Sequence, residues 1–137
     1  MEDILREILL DHVKNPKNKK ELDNPDLSGH SNNPVCGDVV KIDLQIENDT
    51  VVDVGVNGQG CAVSQASMSI FGEEIKGSSV KDVKDKIDQF KSLLGANEVG
   101  ETTILSEEAK ILKFLEGNPS KIRCALLSWS AIEEVLQ

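Results

Sequence analysis

Residues 40 to 56 read VKIDLQIENDTVVDVGV, and their pattern is the clearest indication of the fold. In its first half, polar side chains alternate with apolar ones at Val40, Ile42, Leu44 and Ile46. After the polar pair Asn48-Asp49, a second alternation begins, and its apolar face consists of Val52, Val54 and Val56. A period of two is typical of a strand with one buried face, and two such strands joined by a short polar turn form an antiparallel hairpin. We therefore predict a hairpin with one apolar face and one face in contact with water.

The sequence around the hairpin is mainly helical. Apolar side chains or small residues at helical spacing predict five helices, over residues 3–14, 61–76, 79–94, 106–115 and 121–136. Ser79 is a candidate N-cap. The polar residues 17–34 form an irregular connection with a short edge strand near Ser28 to Asn32. Strands followed by helices without alternation indicate an α+β fold, in which a small antiparallel sheet of two to three strands near the N-terminal half packs against about five helices.

Composition limits the class of protein. At 137 residues, with 39% hydrophobic residues, the chain has the size and composition of one globular domain, which we take as residues 1–137. A net charge of -9 repels phosphate groups, so we expect no nucleic-acid partner and no membrane association. No run of about 18 apolar residues is present, and Met1-Glu2-Asp3 is acidic where a secretory signal is basic. We therefore expect a cytoplasmic location.

The chain has three cysteines, and in a reducing compartment these favour metal binding, catalysis or core filling over disulfides. Cys36 lies just before the hairpin. Gly58-Gln59-Gly60 ends the second strand, and Cys61 follows in the first turn of the next helix. Because the two arms of a hairpin are adjacent, these cysteines can be close although 25 positions separate them. Unpaired N–H groups at the helix start favour a thiolate, the form that binds metal and acts as a nucleophile.

The third cysteine has a similar environment in the sequence. Cys124 lies near the start of the last helix, and Lys121 and Arg123 add positive charge beside it. Asp38, two residues after Cys36, can complete a set of three sulfurs and one oxygen that suits tetrahedral zinc. Free cysteines also commonly fill space in protein cores. The residues by themselves leave a metal site and core filling as open alternatives.

A family resemblance rests on four segments in order: residues 8–16, ILLDHVKNP; residues 33–38, NPVCGD; residues 58–64, GQGCAVS; and residues 123–129, RCALLSW. In this order and spacing they resemble the U-type iron–sulfur cluster assembly family, which includes the NifU N-terminal domain, IscU and SufU. The resemblance covers nearly the whole chain, and its combination of four motifs is specific.

Within that family the chain is more similar to SufU than to IscU. IscU-type members carry a histidine directly before the third cysteine, preceded by a Leu-Pro-Pro-Val-Lys stretch. Here the histidine is replaced by Arg123, and residues 118–122 read NPSKI. The 63 positions from Cys61 to Cys124 also accommodate the extra segment of SufU-type members.

The resemblance implies a SufE/NifU-like fold and a zinc ion held by Cys36, Asp38, Cys61 and Cys124, with iron or a [2Fe–2S] cluster as the alternative cofactor. The implied partner is a PLP-dependent cysteine desulfurase of the SufS type, and the implied sulfur acceptor is Cys36. A downstream cluster scaffold or apo-protein would receive the sulfur. Lys121 and Arg123 are candidates for partner docking or thiolate stabilisation.

Three functions are compatible with these residues. The first is a zinc-dependent sulfur acceptor, which is a sulfurtransferase. The second is a scaffold on which a [2Fe–2S] cluster is assembled and passed to apo-proteins. The third is a structural zinc module without sulfur chemistry. The missing histidine beside Cys124 favours the first over the second, because one family ligand for a cluster is lost.

Overall fold

The computed structural model describes residues 2–33, 37–94 and 119–136. Its elements, in chain order, are α1 (Glu2–Lys14), β1 (Leu27–Asn33), β2 (Asp38–Glu47), β3 (Thr50–Gln59), α2 (Ala62–Ile75), α3 (Val80–Leu94) and α4 (Pro119–Leu136). The predicted α+β class and the antiparallel sheet are confirmed. The described residues contain four helices rather than about five, and the helix predicted over residues 106–115 lies outside them. No helix in the described ranges has both the length and the apolar character of a membrane span.

The three strands form one antiparallel sheet in the order β1-β2-β3. The predicted edge strand is confirmed as β1, which pairs with β2 from Leu27 opposite Leu44 to Asn33 opposite Asp38. At the same end of the sheet, Val39 pairs with Gln59, the last residue of β3. The start of β2 and the end of β3 therefore lie side by side.

The apolar face of β3 differs from the prediction at one position. Gln45 pairs with Asp53, whereas the next residue, Ile46, pairs with Val51, so that Val52 is an extra residue in the ladder. Such a bulge shifts the register by one residue and exchanges the two faces. Val51 is consequently 0% exposed and Val52 is 40% exposed. The assignment of Val52 to the buried face was wrong, because an alternating pattern does not reveal where a bulge occurs.

The face of the hairpin predicted to contact water is partly covered by the chain itself. Asp43 is only 2% exposed. Its carboxylate accepts hydrogen bonds from the Ser28 hydroxyl at 2.6 Å and from the Leu22 N–H at 3.3 Å. Opposite Asp43, a Cβ on Gly55 would lie 2.5 Å from the carbonyl oxygen of Lys20. The connection between α1 and β1 therefore packs directly on the sheet, and the polar face supplies its hydrogen bonds.

The core lies between the other face of the sheet and the helices. The predicted apolar residues Val40, Ile42 and Leu44 are each 0% exposed. Trp129 of α4 packs edge-on against Phe71 and is stacked on Phe90, with ring centroids 4.1 Å and 4.2 Å apart. Aromatic pairs of this kind add to the stabilisation from burial. Trp129 thus joins α4 to α2 and α3.

Close contact between β1 and α4 requires Gly29. A Cβ at this position would lie 2.2 Å from the backbone oxygen of Ala131. We expect Gly29→Ala to lower the free energy of unfolding by about 1–3 kcal/mol, because α4 must move away from the sheet. Urea denaturation measures this change. The matched control is His30→Ala at the next, exposed position of β1, which should change stability by less than about 0.5 kcal/mol. Equal stability of the two variants would contradict the close packing.

Candidate metal centre

The structure brings three of the four predicted ligands together. Asp38 is the first residue of β2, Cys61 directly precedes α2, and Cys124 lies in α4. One ligand atom from each of them lies within 4.8 Å of the other two. The fourth predicted ligand, Cys36, lies outside the described residues. In the sequence it is two residues before Asp38.

Hairpin pairing explains how Asp38 meets Cys61. Since Val39 pairs with Gln59, the two residues that follow β3 are next to the start of β2. The Cys61 N–H donates a hydrogen bond to Asp38 Oδ1 at 3.1 Å. The Cys61 thiol donates to Asp38 Oδ2 at 3.5 Å. Asp38 therefore binds a free N–H group at the start of α2 as well as the thiol.

Gly60 allows this close approach. A Cβ on Gly60 would lie 2.7 Å from Asp38 Oδ1 and 2.3 Å from Ser64 Oγ, both shorter than any ordinary contact. Gly58 is also required, since its φ is +156° and a Cβ there would lie 2.1 Å from the backbone oxygen of Val39. The strand ends at Gln59, within the predicted segment Gly58-Gln59-Gly60. The two glycines also allow the end of β3 to approach the start of β2 closely.

Cys124 joins the site from α4 and is 1% exposed. Helix α4 begins at Pro119, two residues before the predicted start, which places Cys124 in its second turn. The partial charge at a helix end is confined to the first turn, so it contributes less at Cys124 than the sequence suggested. Lys121 lies one turn earlier on the same side of the helix, and Arg123 is exposed. Positive charge near Cys124 therefore comes from side chains.

The donor set fits a zinc ion. Two cysteine sulfurs and a carboxylate oxygen are ordinary zinc ligands, and a third sulfur from Cys36 would complete a tetrahedron. Asp38 is 2% exposed, and within the described ranges no basic side chain forms an ion pair with it. A buried carboxylate without a counter-charge is costly. A bound cation would supply that charge.

Ser64 is a neighbour of the site that the sequence did not single out. It is 0% exposed, and its hydroxyl donates to the Cys61 carbonyl oxygen at 3.1 Å. In the sequence it is the last residue of the motif at residues 58–64, and no role was assigned to it there. Its spacing of three residues from a cysteine at a helix start is the signal that could have found it, because such residues lie on the same side of the first turn.

A small α+β fold that gathers an aspartate and two cysteines at one end of its hairpin is the arrangement of a small protein with a candidate metal site. The sequence matches the NifU-like N-terminal domain family over residues 4–137, and the chain belongs to that family. The resemblance drawn from the four motifs is confirmed.

Two relatives are similar over nearly the whole chain. The zinc-dependent sulfurtransferase SufU of Bacillus subtilis (strain 168) is 31% identical over 134 residues, which cover 98% of this chain and 90% of the relative. The iron–sulfur cluster assembly scaffold protein IscU of Streptococcus pyogenes serotype M1 is 29% identical over 136 residues, covering 95% and 80%.

The fold is also similar to a solved structure. A crystal structure from Fervidobacterium islandicum AW-1, described as an iron–sulfur cluster assembly scaffold protein for the SUF system, superposes with a TM-score of 0.88. That protein is 27% identical in sequence, and the match covers 96% of this chain and 95% of the other.

Proposed function

We propose that this protein is a zinc-dependent sulfur acceptor in iron–sulfur cluster assembly. It takes persulfide sulfur from a PLP-dependent cysteine desulfurase of the SufS type and delivers it to a cluster scaffold or apo-protein. The observation that carries the proposal is the meeting of Asp38, Cys61 and Cys124, whose ligand atoms lie within 4.8 Å of one another. Similarity to a relative named as a zinc-dependent sulfurtransferase supports it.

In this proposal zinc is held by Cys36, Asp38, Cys61 and Cys124. Zinc has no redox chemistry and exchanges tetrahedral ligands, so it can keep thiolates deprotonated and still release one of them. The ligands differ in how firmly the fold holds them. Cys124 is buried within α4, and Cys61, directly before α2, is held against the start of β2 by its hydrogen bond to Asp38. Cys36, in the connection between β1 and β2, is the ligand we assign as the one released.

Sulfur transfer then proceeds by thiol–persulfide exchange. The Cys36 thiolate attacks the terminal sulfur of the persulfide on the desulfurase. A new sulfur–sulfur bond forms on Cys36, the bond within the partner's persulfide breaks, and its electron pair leaves on the partner's cysteine thiolate. One thiolate is consumed and one is formed, so the step needs no external oxidant or reductant.

Positive charge beside Cys124 has a role in docking or in holding the thiolates. Arg123 is exposed and therefore accessible to a partner, whereas Lys121 is half-buried on the side of α4 that carries Cys124. In a chain of net charge -9, cationic groups beside the site make the local potential less negative. We assign Arg123 to docking and Lys121 to the thiolates.

A scaffold for a [2Fe–2S] cluster is the second candidate. The relative from Streptococcus pyogenes is named as such a scaffold, and cysteine thiolates are the usual ligands of these clusters. Arg123 argues for transfer, because it stands where IscU-type members provide a histidine ligand.

Metal content and sulfur transfer separate these functions in one experiment. We expect protein purified without chelator to hold about one zinc per chain with sulfur neighbours in X-ray absorption spectra. The same sample should raise alanine production by a purified SufS-type desulfurase under reductant. A stable [2Fe–2S] cluster that survives gel filtration, without stimulation, would replace transfer by scaffolding. Bound zinc without any increase in alanine production would indicate a structural zinc module. A bound metal without sulfur neighbours would refute the proposed cysteine-ligated site.

A further inference from the structure

Packing holds the Ser64 hydroxyl beside Cys61. Ser64 is the third residue of α2, and its Oγ lies 4.0 Å from Cys61 Sγ. Gly60 bounds another side of the hydroxyl, since a Cβ there would come within 2.3 Å of Oγ. Ser64 is also 0% exposed, so no bulk water competes for its proton. In the part of the chain that the structure describes, the hydrogen bonds recorded for this hydroxyl are with atoms of Cys61.

The carbonyl oxygen that accepts this hydroxyl also accepts a hydrogen bond from a second donor. The Cys61 carbonyl oxygen accepts the Ser64 hydroxyl at 3.1 Å and also the Gln65 N–H at 3.1 Å. If the hydroxyl turns away, the carbonyl keeps the helical hydrogen bond from Gln65. No buried acceptor is then left unpaired, so the change of partner has little energetic cost.

Metal binding converts the Cys61 sulfur into an acceptor. In the thiol form, Sγ donates its proton to Asp38 Oδ2 at 3.5 Å. A metal-bound thiolate has no proton to donate and carries negative charge, which strengthens hydrogen bonds from nearby donors. Ser64 is the hydroxyl that the structure records beside this sulfur. The Ser64 hydroxyl can rotate so that it donates its hydrogen bond to Cys61 Sγ instead of to the Cys61 carbonyl oxygen.

We propose that Ser64 is a positioning residue whose hydroxyl donates a hydrogen bond to the metal-bound Cys61 thiolate. This inference rests on the proposed function and deepens it. A hydrogen bond withdraws charge from the thiolate and lowers its nucleophilicity, and outer-shell partners of this kind also hold the ligand on the metal. Ser64 thereby keeps Cys61 as a retained ligand and leaves Cys36 as the cysteine that accepts sulfur.

Cobalt(II) substitution tests the hydrogen bond directly, because thiolate-to-cobalt charge transfer reports the charge on the sulfur. We expect Ser64→Ala to shift this band to lower energy and to release cobalt to a chelator about tenfold faster. Alkylation of the loaded protein, mapped by mass spectrometry, should shift toward Cys61. The matched control is Ser67→Ala on the same helix. Ser67 is also 0% exposed, but its hydroxyl donates to the carbonyl oxygen of Ala125.

The outcomes separate this proposal from the metal site itself. An unchanged charge-transfer band in Ser64→Ala, or an equal shift in Ser67→Ala, overturns the role of Ser64 and leaves the site intact. Absence of any thiolate-to-cobalt band in the wild-type protein refutes the sulfur-ligated site, and Ser64 loses its role with it. A shift of the charge-transfer band in Ser64→Ala, together with an unshifted band in Ser67→Ala, supports the hydrogen bond from Ser64 to the Cys61 thiolate.

Discussion

Cys36→Ala should reduce alanine production by a SufS-type desulfurase to the rate of the desulfurase alone. The proposed transfer requires a thiolate that can leave the metal and attack the persulfide, and alanine has no nucleophile. The measurement is alanine formation from cysteine under reductant, with the variant added over a wide range of concentrations. Persulfide mapping by mass spectrometry on the wild-type protein should find the transferred sulfur on Cys36. Full stimulation by Cys36→Ala would rule out Cys36 as the acceptor.

Arg123→Gln is the contrasting variant for this assay. It removes an exposed positive charge and leaves every proposed ligand in place. We expect it to weaken stimulation at low concentration and to reach the wild-type level at high concentration, because docking is affected and the chemical step is not. Zinc content should stay at the wild-type value. The loss in Cys36→Ala, by contrast, should persist at every concentration.

Asp38→Asn should lower zinc affinity by at least about tenfold. The substitution keeps the size of the side chain and its Oδ1 acceptor for the Cys61 N–H, but it removes the charge that a zinc-bound oxygen supplies. Competition with a chromophoric chelator measures the affinity, and circular dichroism checks that the fold is retained. Unchanged zinc affinity would exclude Asp38 from the ligands.

Asp43→Asn is the matched control for Asp38. The two aspartates lie on the same strand and are each 2% exposed, but Asp43 binds Ser28 and Leu22 rather than cysteine. We expect Asp43→Asn to lower the free energy of unfolding by about 1–2 kcal/mol, since charge-assisted hydrogen bonds become neutral ones. Its zinc affinity should match the wild type. An equal loss of zinc in both variants would point to a general effect of charge.

Most elements of the fold could be predicted because their signals are local. Alternation over residues 40–46 requires a strand with one buried face, and Val40, Ile42 and Leu44 are all buried. Ser79 was predicted as an N-cap, and its Oγ accepts the Asp82 N–H at 3.1 Å. Each of these features depends on residues within one or two turns, so neighbours in the sequence are sufficient to specify it.

Features that depend on contact between two segments could not be predicted in the same way. The bulge that buries Val51 in place of Val52 is a property of two paired strands, and no pattern within β3 reveals it. The burial of Asp43 depends on residues near Lys20 and Leu22 that fold back over the sheet. The bulge arises from the pairing of two strands and the burial of Asp43 from a segment remote in sequence, and the local pattern specifies neither of them.

The amino-acid sequence is sufficient to identify the candidate donors and half of their arrangement. Hairpin topology requires the start of β2 and the end of β3 to be neighbours, which brings Asp38 and Cys61 together whatever the helices do. That Cys124 reaches the same point follows only from the folded chain, because it depends on how α4 packs against the sheet and α2. Contact between elements also makes Gly60 necessary, since a Cβ at this position would lie 2.7 Å from Asp38 Oδ1 at the start of β2.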